Sequence, residues 1–140
     1  MNVYLSGSFS GRERVAKEAA RLELYGYNVL SWWFNHDHFV EKAWDGNFKG
    51  DIAKTMAHCD FNQLLQAELF ILDTIDKSST GGSDTELGMA LIRAIYQKIH
   101  LVHIGPNRNI FQALVYEHYD SWDEFFNKLD LKEELNNERK

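Results

Sequence analysis

Basic residues, cysteine and proline are all scarce in this chain of 140 residues. Fifteen Lys and Arg stand against twenty-one Asp and Glu, a formal net charge of -6. That balance argues against a nucleic-acid polymer as partner, because phosphate backbones are gripped by clustered cations. A small anion in a local basic pocket stays open. The single cysteine, Cys59, excludes an internal disulfide. No apolar run approaches the roughly 20 residues that span a bilayer, and the N-terminus begins on a strand-like run instead of a charged-then-apolar leader. A soluble, cytoplasmic protein with no membrane partner is expected. There is no internal repeat and no linker. What the chain does have is 44% hydrophobic and 14% aromatic residues, enough for one core. One domain over residues 1–140 is expected, with a charged tail at about 132–140.

Short β-prone runs alternate with helical periodicity from end to end. Val3-Tyr4-Leu5 leads into the polar loop Ser6-Gly7-Ser8-Phe9-Ser10-Gly11-Arg12, after which Val15, Ala19, Leu22 and Leu24 recur at helical spacing. That loop could offer N–H groups and hydroxyls to a phosphate, with charge from Arg12 or Arg14. It matches neither the Walker pattern nor GxGxxG, and a simple chain turn explains it as well. Gly26 ends the helix, and residues 27–33 read as a second buried strand. Residues 34–48, with Trp44 among them, are aromatic, polar and aperiodic, suiting a flap over a flat ligand or a subunit contact. His36, Asp37 and His38 do not complete a ligand set, so no metal is expected. Residues 51–68 have a broad apolar helical face with Asp60 near its middle. Leu69-Phe70-Ile71-Leu72 is the third strand, residues 98–104 the fourth, ending at Gly105-Pro106, and 116–119 a short fifth. A capping box, Ser121 to Glu124, opens a last helix that frays into the tail. The expected fold is a single-domain α/β three-layer sandwich, flavodoxin/Rossmann-like, with a mostly parallel sheet of about five strands.

The stretch Ser78-Ser79-Thr80-Gly81-Gly82-Ser83-Asp84-Thr85-Glu86-Leu87-Gly88 joins the third strand to a helix. Ligands of open α/β sheets bind at the carboxyl ends of strands, so chemistry is sought there first. Two readings of Glu86 compete. Ser83 as N-cap with Glu86 three residues on is a capping box, which needs no catalysis. Alternatively Glu86 faces a pocket, kept ionised by the helix dipole, where a carboxylate near a sugar carbon is a nucleophile for glycosidic cleavage. The paired glycines exceed what a cap requires.

Three motifs, Tyr4-Leu5-Ser6-Gly7-Ser8, residues 60–71 starting Asp60-Phe61-Asn62, and Thr80-Gly81-Gly82-Ser83-Asp84-Thr85-Glu86-Leu87-Gly88, resemble the nucleoside 2-deoxyribosyltransferase family in the family's order. Within it the chain looks nearest to the 2'-deoxynucleoside 5'-phosphate N-hydrolases. The resemblance runs from Val3 to Leu129. It implies that Glu86 attacks the anomeric carbon of deoxyribose, that Tyr4 holds the Glu86 carboxylate in line, and that Asp60 protonates the departing base. No cofactor is implied. Thr80 stands where transferases of free nucleosides carry an aspartate and the phosphate-hydrolysing relatives a serine, which leans toward a 5'-monophosphate. Ser8, Ser10, Gly11 and Arg12 look like the relatives' phosphate loop, and Gly7 and Gly82 join the expected substrate contacts.

Asp84 is left between a sugar hydroxyl and the helix N-terminus. The resemblance also implies a homodimer or larger even assembly with a shared site, completed by Asn109 or Arg108 of a neighbour. Trp44, Trp122 and Phe111 suit that interface or the core. The expected partners are thus a deoxynucleoside or deoxynucleotide and a nucleobase. From another class, the same fold could bind or sense nucleotides without turnover. A flavodoxin-like electron carrier fits less well, because the first loop lacks a Thr-rich phosphate cradle.

Overall fold

The computed structural model describes residues 1–35, 51–78 and 81–140. Its strands are β1 (Asn2–Ser6), β2 (Asn28–Val29), β3 (Leu69–Asp73), β4 (His100–Ile104) and β5 (Glu117–Tyr119). The α-helices among the described residues are α1 (Arg12–Leu24), α2 (Asp51–Gln66), α3 (Gly82–Tyr96) and α4 (Trp122–Glu138). The strands form one sheet in the order β2-β1-β3-β4-β5, and every neighbouring pair is parallel. This is the flavodoxin-like order of a doubly wound sheet.

The two-residue period of the strands divides the core between the two faces of the sheet. Val3, Leu5, Leu69, Ile71, Val102 and Ile104 pack with Val15, Ala19 and Leu22 of α1 and Trp122, Phe125 and Phe126 of α4. Tyr4, Phe70 and Leu72 pack on the other face with Leu64 of α2 and Leu87 and Ala90 of α3. All five residues of β3 are buried, as a central strand covered on both faces requires. Among the described residues no helix is long and apolar enough to cross a membrane.

The second strand is shorter than its sequence suggests. Regular pairing stops at Val29, and side chains take over the contact with β1. Ser31 Oγ accepts from Leu5 N–H at 2.6 Å, and the Trp33 indole N–H donates to Leu5 O at 2.8 Å. Residues 33–35 then form a 3-10 turn that buries Trp33 and Phe34. At the other end, the expected frayed tail is helical as far as Glu138. Its Leu, Lys and Glu residues are good helix formers and stay exposed. The α4 cap forms as expected at Ser121, whose Oγ accepts from Glu124 N–H at 3.2 Å, while the Glu124 carboxylate reaches Asp120 N–H at 2.9 Å. Trp122 belongs to the core and is 3% exposed. Phe111 is exposed. Of the flap expected over 34–48, residues 36–48 lie outside the described residues, among them Trp44, His36, Asp37 and His38.

Candidate active site

β2 lies on one side of β1 and β3 on the other, so the loops leaving β1 and β3 part and a crevice opens between them. A cavity of about 230 Å³ occupies it, floored by Gly7 after β1 and by Ser78 and Gly82 around the start of α3. Phe9, Trp33, Phe61 and Met89 make its walls apolar, and Asp60 and Glu86 are its two carboxylates. At Gly7 an added Cβ would lie 3.3 Å from Asp73 O and 3.6 Å from the Trp33 ring. Glycine there lets the two loops close around the crevice.

Helix α3 starts two residues before the point that a capping box would need. Gly81, at φ +78°, is the N-cap, with no side-chain cap bond. Such a left-handed turn suits glycine. Ser83 is therefore inside the helix, and Glu86 is its fifth residue, past the first turn. Its carboxylate turns to the sheet instead of back to the helix end. Oε2 accepts from the Tyr4 hydroxyl, and Oε1 accepts from Ser6 Oγ at 3.0 Å. Of the two readings of Glu86, the geometry selects the pocket.

Burial sets the protonation of this pocket. It pushes Glu86 up to about 8, with Asp60 adding in the same direction and the donors Tyr4 and Ser6 pulling the other way. The dipole of α3 does not hold Glu86 at an ordinary carboxylate value, because the dipole acts within the first turn and Glu86 lies beyond it. Burial likewise pushes Asp60 up to about 6. Burial first, then Glu86 and Asp60, raise the Tyr4 phenol, which stays a neutral donor. Near neutral pH the two carboxylates together hold one proton. Both oxygens of Glu86 receive hydrogens, an arrangement that favours its ionised form whenever Asp60 takes the proton.

A stability prediction follows from the sign of that shift. The folded Glu86 value lies above its ordinary 4.5, so the native state binds more protons between about 4.5 and 8, and this residue's contribution falls as pH rises through that window. Glu86→Gln removes the ionisation. Its melting temperature should exceed that of the parent at pH 8.5 by roughly 5 °C more than at pH 5. A gain equal at both pH values would contradict the shift.

The remaining expected contacts divide among three places. Gly7 and Gly82 line the cavity. Ser8 is buried and tied to Ser10 Oγ at 2.8 Å and Lys77 O at 3.2 Å, so it fastens the β1 loop to the β3 loop. Ser10, Gly11 and Arg12 line a neighbouring groove with Arg14, Lys17 and Asp76. Arg12 donates to Phe9 O at 3.2 Å and lies 4.4 Å over the Phe9 ring. Arg14 is engaged with Asp73 and Asp76. Asp84 and Asn109 are away from the carboxylates, in a third groove with Leu91 and Phe111. Asn109 Nδ2 donates to Asp84 Oδ1 at 3.0 Å, while its Oδ1 accepts from Phe111 and Gln112 N–H. Arg108 donates to Thr74 O and Ile75 O of its own chain. Thr80 lies outside the described residues.

Sequence reasoning missed Ser6, Phe9, Phe61 and Met89. Ser6 was legible, because residues two apart on a strand share a face and Tyr4 was already assigned. Met89 is three residues past Glu86 and so on the same side of α3. No family model, curated protein or solved structure matches the chain.

Proposed function

We propose that the chain cleaves the N-glycosidic bond of 2'-deoxynucleosides or their 5'-monophosphates through a covalent 2-deoxyribosyl ester of Glu86. The observation that carries this reading is that Asp60 from α2 and Glu86 from α3 face one apolar crevice, with the hydroxyl of buried Tyr4 from β1 bonded to Glu86. A binding pocket needs no nucleophile beside a proton donor. The flat walls Phe9, Trp33 and Phe61 suit a nucleobase. In the first displacement a Glu86 oxygen bonds to the anomeric carbon while the bond to the base nitrogen breaks. The electron pair leaves with the base, which takes the proton of Asp60. In the second, water or another base attacks the same carbon, the ester pair returns to Glu86, and the acceptor's proton goes to Asp60. Configuration is retained.

The reading extends to the setting. The groove beginning next to Phe9, with Arg12 and Lys17, suits a 5'-phosphate. A homodimer or larger even assembly is part of the proposal, with exposed Ile92, Ile95, Tyr96 and Phe111 as apolar surface for it and a neighbouring subunit completing the site. The free Cys59 is consistent with a cytoplasmic location.

Each deoxynucleoside and its monophosphate, incubated with and without a competing base, should give free base. Free deoxyribose or its phosphate marks hydrolysis, and a new nucleoside marks transfer. With a deoxynucleoside, kcat/KM should be bell-shaped, with limbs near pH 6 and 8, because the reacting form carries one proton on the pair. Thermal stabilisation by nucleotides without any product after long incubation would favour a binding module instead.

A further inference from the structure

We propose that Ser6 is a positioning residue for Glu86, fixing the plane of its carboxylate so that one oxygen faces the cavity in line with the anomeric carbon. The inference rests on the proposed function for its chemistry and on geometry for its existence. Ser6 ends β1, pairs in register with Leu72 and is 0% exposed. It does not line the cavity, so it acts through Glu86. Tyr4 and Ser6 project from the same face of one rigid strand, and each supplies a hydroxyl to a different oxygen of Glu86. The terminal torsion of a glutamate is otherwise broad. Two donors anchored 82 and 80 residues away in sequence close it from both sides.

The pair also distinguishes the states of the reaction. While Glu86 is ionised, as attack on the sugar requires, both bonds are charge-assisted; in the ester the charge is gone and both weaken. When water or a second base displaces the ester, the negative charge returns to Glu86 between two donors already in place. The second displacement therefore gains from Ser6 directly, by preorganisation at the developing charge. A structural serine that merely filled space under the loop would give none of this.

Two readouts separate the alternatives. The first needs no turnover: the Glu86 side-chain carboxyl carbon, 13C-labelled, is titrated by NMR in the parent, Ser6→Ala and Ser6→Thr. Losing one donor to a charged group should move the midpoint upward by about one pH unit in Ser6→Ala and leave it in place in Ser6→Thr. The second is kinetic: kcat should fall roughly tenfold in Ser6→Ala with KM changed by less than about twofold, and Ser6→Thr should recover it. If Ser6→Ala melts below assay temperature, Ser6→Cys, of similar size with a weak donor, is read the same way. An unmoved Glu86 titration overturns the proposal. Absence of product from the parent enzyme overturns the proposed function, and the titration then still decides whether Ser6 controls Glu86.

Discussion

Glu86→Ala should lose turnover by at least about a thousandfold while keeping its fold, because the variant has no atom to form the proposed sugar ester. The size of the loss distinguishes a nucleophile from a residue that only helps binding, which would raise KM and leave kcat nearly intact. The variant should also be at least as stable as its parent at neutral pH, since it removes a buried carboxylate that shares a proton with Asp60. Asp60→Asn keeps the proposed nucleophile and removes the proposed proton donor. Its loss should therefore be largest with poorly leaving bases and smallest with bases that depart unprotonated. The two variants have separate signatures even though both carboxylates face one cavity.

Asp73→Ala should be the most damaging single substitution to the fold, costing about 3–5 kcal/mol and lowering the melting temperature by roughly 10–20 °C. Asp73 ends β3 with its side chain 1% exposed. It accepts from both terminal nitrogens of Arg14, at 2.7 and 2.8 Å, from Trp122 Nε1 at 2.7 Å and from Ile75 N–H at 3.0 Å. One carboxylate thus joins α1, β3 and α4 at the rim of the crevice. Alanine there leaves a buried indole N–H and a half-buried guanidinium short of acceptors. Asp76, also bonded to Arg14, compensates only the cation. A thermal melt of Asp73→Ala within a few degrees of the parent would show that the network adds little.

The layered fold was legible because its two signals are local. The continuous apolar runs Val3-Tyr4-Leu5 and Leu69-Phe70-Ile71-Leu72 gave strands with two covered faces, and the spacing of Val15, Ala19 and Leu22 gave the helix that follows the first of them. The second strand was overdrawn because Ser31 and Trp33 make ladder-like bonds with side chains, which composition cannot tell from backbone pairing. The tail was underdrawn because its charges suggested fraying, whereas exposed Lys, Glu and Leu sustain a helix without packing.

For the site, Tyr4, Asp60 and Glu86 come together as the resemblance implied, from three elements up to 82 residues apart. The competing cap at Ser83 failed on a backbone detail, the left-handed Gly81, that moves the helix start by two residues. Asp84 and Asn109 were both picked from the sequence, and they do meet, but with each other and outside the cavity. Proximity to Glu86 in sequence placed Asp84 on another side of α3, which a helical period of 3.6 makes the rule for residues two apart. In the sequence Asp73 merely follows the apolar run Leu69–Leu72. Nothing local marks it as the acceptor of four donors, since those donors come from residues as far off as Trp122.

The most direct measurement of the central claim is a rapid acid quench of enzyme with excess deoxynucleoside or deoxynucleotide, followed by peptide mass spectrometry. The peptide containing Glu86 should carry one added 2-deoxyribosyl unit, phosphorylated when the substrate is, and the adduct should be absent from Glu86→Ala. Free base released with no adduct on that peptide at any quench time, and at the same rate in Glu86→Ala, would contradict the covalent mechanism.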